Sequence, residues 1–134
     1  MRSKFGGRAT TRGDTGAMLS LVASIDDVQK IALSLPEAYE HPSYGGRTAF
    51  RVKQKNFAYL REDGVSMAVY VGDLGEKEAL LASDQRKFFT TPHYDGYAIV
   101  LIRIDKIGVK ELRELITDAW RARAPKRVVA AFES

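Results

Sequence analysis

The stretch from residue 47 to residue 71 constrains the fold most. Thr48, Phe50 and Val52 alternate with Arg47, Ala49, Arg51 and Lys53, the pattern of a half-buried strand with a basic outer face. Residues 53–56 read as a polar turn, and 57–61 resume as a strand. Asp63-Gly64 then signals a hairpin into a third strand carrying Val65, Met67, Val69 and Val71. Strands joined by turns this short pair antiparallel, and their apolar face needs a cover.

Helical segments supply that cover. Ser24 is placed to cap a helix whose first turn holds Asp26 and Asp27. Ile25, Val28, Ile31, Ala32 and Leu35 recur at helical spacing until Pro36. Residues 75–84 read as a short helix with Ala79, Leu80 and Leu81 as its apolar side. Val109, Leu112, Leu115, Ile116, Ala119 and Trp120 form the longest stripe, on which Trp120 is expected in the core or docking a helix, with an exposed partner-binding anchor as the alternative. Pro125 ends that helix and starts a short terminal one through Phe132. Between the helices lie a short strand at 88–91, a loop at 91–96 and a strand at 97–104. The last is apolar on both faces and is therefore expected inside the sheet. The order α-β-β-β-α-β-β-α predicts a two-layer α+β domain with a mainly antiparallel five-stranded sheet. This single domain is expected to span 18–134. Residues 1–17, rich in Gly, Arg and Thr, read as a flexible basic tail, with Met18 as an alternative natural start.

The chain of 134 residues has no cysteine, which excludes disulfides, cysteine-bound zinc, iron–sulfur clusters and thiol nucleophiles. The apolar run Ile99-Val100-Leu101-Ile102 is far too short to span a bilayer, so no membrane partner is expected. With no hydrophobic leader either, the expected location is the cytoplasm. The net charge is +4, but each end contributes +3 and the body, 25–119, carries −2. A high pI is thus a poor argument for nucleic-acid binding. One internal segment departs from this balance: 41–61 contains Arg47, Arg51, Lys53, Lys55 and Arg61 and no acid.

Several motifs carry a family resemblance. Leu35-Pro36-Glu37-Ala38 followed by His41-Pro42, then Phe50-Arg51-Val52 and Lys55 before Phe57-Ala58, resembles the opening of the MmcQ/YjbR family. Residues Phe89-Thr90-Thr91-Pro92-His93-Tyr94, with Gly96-Tyr97 leading into Val100-Leu101, are similar to its second signature. Leu112-Arg113-Glu114-Leu115 and Ala124-Pro125-Lys126-Arg127 extend the likeness over about 25–130. Tyr97 stands where many members carry Trp. The resemblance implies a two-layer fold of helix, three strands, helix, two strands and helix. It also implies a DNA-binding label that rests on a double-wing, secretion-chaperone-like shape, and it brings no catalytic residues.

The residues offer one surface of their own. By alternation Arg47, Arg51 and Lys53 share a face of the first strand, and Lys55, Phe57, Tyr59 and Arg61 share a face of the second. Cations beside aromatic rings suit phosphate contact and base stacking, so DNA or another nucleic acid is the expected partner. The bland alternative is a solvated outer face, with Phe57 and Tyr59 turned inward. A protein partner bound by strand addition or helix docking is the second functional reading. His41 and His93, expected in loops, give with Tyr94 and Asp95 a candidate cleft for a small molecule, and an enzyme using His93 is the third reading. Two distant histidines make a poor zinc site, and no nucleophile or phosphate-loop motif is present. Gly72-Asp73-Leu74-Gly75 reads as a turn and helix start, since Asp73 would repel a phosphate. The expectation is a noncatalytic binding domain without metal or cofactor.

Overall fold

A computed structural model describes residues 22–43, 45 and 47–134. The expected tail at 1–17 and the alternative start at Met18 lie outside these. Helix α1 (Ile25–Leu33) begins as its sequence dictates. Ser24 Oγ accepts from the Asp27 amide at 3.2 Å, and Asp27 Oδ2 accepts from the Ser24 amide at 2.9 Å. This reciprocal cap is worth about 1 kcal/mol. It aims Val28, Ile31 and Ala32 into the core.

After α1 the chain turns through Glu37 (φ 60°) into a strand the sequence does not announce, β1 (Tyr39–Pro42). Nothing in Tyr-Glu-His-Pro alternates. The segment is a strand because it pairs antiparallel with β2 (Thr48–Val52), Tyr39 opposite Arg51 and His41 opposite Ala49. Its place at the sheet edge tolerates Pro42. The expected five strands are therefore six. The chain continues through β3 (Lys55–Leu60), β4 (Ser66–Tyr70), α2 (Leu74–Ser83), β5 (Phe88–Phe89) and a 3-10 turn (Pro92–Tyr94). It ends with β6 (Ile99–Arg103), a second 3-10 turn (Ile104–Lys106), α3 (Val109–Arg123) and α4 (Lys126–Glu133). The sheet order is β1-β2-β3-β4-β6-β5, antiparallel at every pairing. The two-sided apolarity of β6 matches its interior place.

One sheet face is covered by helices. Phe50, Val52, Phe57, Met67, Val69, Val100 and Ile102 pack there with Val28 and Ile31 of α1 and Leu112, Ile116 and Trp120 of α3. Trp120 is wholly buried, donates from Nε1 to the Pro36 carbonyl at 3.0 Å and meets Phe132 of α4 edge-on at 5.0 Å. Truncating such a residue to alanine costs about 3–5 kcal/mol. The other face carries a smaller cluster of Ala68, Tyr94, Ile99 and Leu101, to which no α-helix of the described residues contributes.

The β2–β3 hairpin sets which side chains reach that open face. Its two-residue turn puts Lys53 (φ 51°) and Gln54 (φ 67°) in the left-handed region. Asparagine or glycine would fill these positions with less strain. The Tyr39 hydroxyl accepts from the Gln54 amide at 3.2 Å. The pairing then slips: Ala49 faces Tyr59 and Phe50 faces Ala58, but Arg51 faces Asn56 and Val52 faces Lys55. Phe57 is the extra residue of a β-bulge.

Candidate nucleic-acid interface

The bulge breaks the alternation on which the sequence reading of β3 depended. Phe57 joins Ala58 on the helix-covered side and is wholly buried, so the stacking expected of it is not available. Lys55 lies opposite the core residue Val52, at the margin of that same side. Lys53 occupies the hairpin turn, 3.9 Å from Glu37. Tyr59 and Arg61 remain on the open face with Arg47 and Arg51. Four of the seven residues singled out thus share a surface, and three do not.

A groove of about 600 Å³ runs over this face, lined by Arg47, Tyr59, Arg61, Tyr70, His93 and Tyr94 with Ser43, Asn56, Glu62 and Thr91. Its floor is tyrosine. The hydroxyls of Tyr59 and Tyr94 are 2.7 Å apart, and the His93 ring meets Tyr94 edge-on at 4.9 Å. Burial, then the hydrogen bond to Tyr94, pushes the Tyr59 hydroxyl well above the usual phenol range, so it stays protonated.

The 3-10 turn that carries His93 and Tyr94 is fastened from below. Lys77 of α2 is 6% exposed, and its Nζ donates to the carbonyls of Tyr94 at 2.7 Å and Tyr97 at 2.8 Å. Sequence reasoning missed Lys77. The available signal was its place three and four residues before Leu80 and Leu81, on the apolar side of α2.

Charge on the open face is divided. Arg47 pairs with Glu62 at 3.2 Å and Arg61 with Asp63 at 3.2 Å. Arg51 has no carboxylate partner among the described residues, and its Nε donates to Asn56 Oδ1 at 2.8 Å. Two further arginines arrive from elsewhere in the chain. Arg103 of β6 lies 4.2 Å over the Phe89 ring. Arg123, at the end of α3, donates to the Asn56 carbonyl at 2.9 Å and sits 4.3 Å over Tyr70. Arg103 ends β6 and meets the Phe89 ring only once β5 pairs beside that strand, and Arg123 reaches the sheet only through tertiary packing. Among these side chains the arginines exceed the carboxylates, which come from the single loop Glu62-Asp63. That loop has a structural duty as well. Asp63 accepts from the amides of Val65 (3.0 Å) and Ser66 (2.9 Å) and from the Ser66 hydroxyl (2.6 Å). Burial alone would raise the Asp63 carboxyl. The bonds from Ser66 and Val65, with Arg61 beside it, outweigh burial and hold it below the ordinary carboxylate range.

The cleft candidates separate. His93 and Tyr94 line the groove, whereas Asp95 lines a neighbouring hollow with Lys77 and Leu81. His41 sits on β1, not in a loop, and is not among the groove-lining residues. Among the described residues no three His, Asp or Glu side chains converge to hold a metal ion, and no helix is long and apolar enough to cross a membrane.

An antiparallel α+β sheet with one helix-covered face and one arginine- and tyrosine-lined face defines the class. The YjbR family model matches residues 33–122, and the chain belongs to this family. It is 38% identical over 124 residues to uncharacterized protein Rv2570 of Mycobacterium tuberculosis, covering 83% of this chain and 96% of that protein. Uncharacterized protein Mb2600 of Mycobacterium bovis matches to the same extent. In structure the chain resembles Deinococcus radiodurans protein DR2400, a DUF419 domain, with a TM-score of 0.62 and 18% identity. That likeness covers 74% of this chain and 77% of the other, and it speaks for the fold.

Proposed function

We propose that this chain is a noncatalytic binding domain that takes nucleic acid on the open face of its sheet. One observation carries the reading: the groove joins guanidinium groups at its rim to a tyrosine floor. Those are the two surfaces that phosphates and bases require. The separation of His93 from Asp95, which lines a different hollow, speaks for binding over catalysis.

Fluorescence anisotropy of labelled oligonucleotides tests this. Three phosphate contacts, by Arg47 and Arg61 in the groove and by Arg51 beside it on the same face, give a log–log salt slope of about −2 on a single strand. Binding should then weaken roughly 20-fold from 50 to 200 mM salt. Arg51→Gln should weaken binding, whereas Lys55→Gln should change it little. Salt-insensitive or absent binding, or equal effects of the two substitutions, would overturn the reading. A protein partner added along the outer edge of β1 is the second reading, favoured by that strand's terminal place in the sheet. Its four residues and Pro42 make β1 a poor template, which ranks the reading second.

A further inference from the structure

The groove does not end at Tyr70. Tyr59, Tyr70, His93 and Tyr94 also wall an adjoining hollow of about 320 Å³ that continues to Tyr97 and Ile99. Tyr70, Tyr97 and Ile99 in turn border a third hollow, again about 320 Å³, that reaches Arg123. The three make one trough with a distinct charge pattern. Arg47 and Arg61 stand at one end, Arg123 stands at the other, and the floor between them is aromatic.

Strand β3 measures the trough. Arg61 follows its last residue, and Arg123 is bonded to the carbonyl of Asn56 near its start. With Phe57 as the extra residue of the bulge, these five positions advance the strand by about four residues at about 3.3 Å each, which puts the two cationic ends roughly 13 Å apart. A duplex strand advances 3.4 Å along the helix axis per phosphate, whereas the phosphates of a stretched single strand lie roughly 6 Å apart in a line. The span therefore matches about three stretched nucleotides. Tyr97, 61% exposed, lengthens the stacking floor. Tyrosine rings stack on bases only when the bases are unpaired, because a duplex offers its groove edges and keeps its base faces internal. Glu62 is 67% exposed, so its carboxylate can swing into water when a phosphate takes its place beside Arg47. Arg123 has no carboxylate partner among the described residues.

We propose that the trough selects a single strand of about three nucleotides, its phosphates at Arg47 and Arg61 on one side and at Arg123 on the other, its bases on Tyr59 and Tyr70. This rests on the nucleic-acid reading above and narrows it. The test is anisotropy competition by unlabelled oligothymidylates of 2, 3, 4, 6 and 12 nucleotides and by a 12-base-pair duplex. Affinity should rise to three or four nucleotides and then level off, and the duplex should compete at least tenfold more weakly. Arg123→Gln should lower the salt slope by about 0.7. Tyr70→Leu should weaken the tetranucleotide tenfold or more. Thermal melts confirm that each variant is folded, and should one fail to fold, the wild-type length series decides. A duplex that competes as well as the single strand, affinity that climbs through 12 nucleotides, or an Arg123→Gln slope equal to wild type would overturn the proposal while leaving nucleic-acid binding intact. Absence of binding to every oligonucleotide would overturn both.

Discussion

Lys77→Met removes a buried ammonium while keeping most of the side chain's volume. In the wild type that ammonium satisfies two carbonyls, Tyr94 O at 2.7 Å and Tyr97 O at 2.8 Å. Each bond from a charged donor is worth about 1.5–3 kcal/mol net, and neither carbonyl is left bare, because Tyr94 O still accepts from the Tyr97 amide and Tyr97 O from the Ile99 amide. Against this, methionine avoids the cost of taking a charge out of water, several kcal/mol for a side chain this buried. The balance is a loss of about 2–3 kcal/mol. For a domain of this size each kcal/mol lowers Tm by roughly 3–5 °C, so Tm should fall by about 6–15 °C. The damage should be local first. The amides of Tyr94, Asp95 and Tyr97 bond to the carbonyls of Thr91, Pro92 and Tyr94, and all three should lose hydrogen-exchange protection before the β4–β6 pairing does. Lys77→Arg should restore part of the protection. Calorimetry with exchange mass spectrometry reads both effects. A Lys77→Met variant that melts within 1 °C of wild type, or that loses protection evenly across the sheet, would refute the idea that Lys77 holds the Tyr94 turn in place.

Other consequences follow from the Glu62-Asp63 loop. Asp63→Ala should cost about 1–2 kcal/mol at pH 7, because four donors, Arg61 among them, lose their acceptor at a partly exposed hairpin. The folded state holds the Asp63 carboxyl below its ordinary 3.8, so this stabilisation is present above that value and is lost as pH falls through the folded one. Urea melts from pH 7 to 2.5 should show the gap between wild type and variant closing in acid, and a constant gap would contradict the assignment. Glu62→Gln removes the carboxylate that faces Arg47. A unit charge about 6 Å away in water is worth about 0.7 kcal/mol, so single-strand affinity should tighten roughly threefold at low salt. Unchanged or weaker binding in the same anisotropy assay would show that Arg47 does not meet the ligand.

Much of the fold was legible because its signals are local. The Ser24 cap, the Asp63-Gly64 hairpin, the stripe through Trp120 and the doubly apolar β6 each declare themselves within a few residues. Strand β1 does not, since only its partner β2 makes it extended. The interface was half legible. Arg47, Arg51, Tyr59 and Arg61 follow from strand alternation, but nothing in Lys55-Asn56-Phe57-Ala58 marks the extra residue that sends Phe57 into the core. Lys53 was misplaced for a related reason: its left-handed backbone puts it in a turn where alternation does not apply. Arg103 and Arg123 converge on the aromatic rings only once β6 and α3 have packed, so a one-dimensional pattern holds no trace of that convergence.

Amide chemical-shift mapping during titration with a short oligothymidylate locates the ligand residue by residue. The largest changes should fall on Tyr59, Ala68, Tyr70 and Ile99, with little movement at the Lys53-Gln54 turn or in α4. Changes centred on that turn, on the helix-covered side, or nowhere at all would contradict a binding surface on the uncovered face of the sheet.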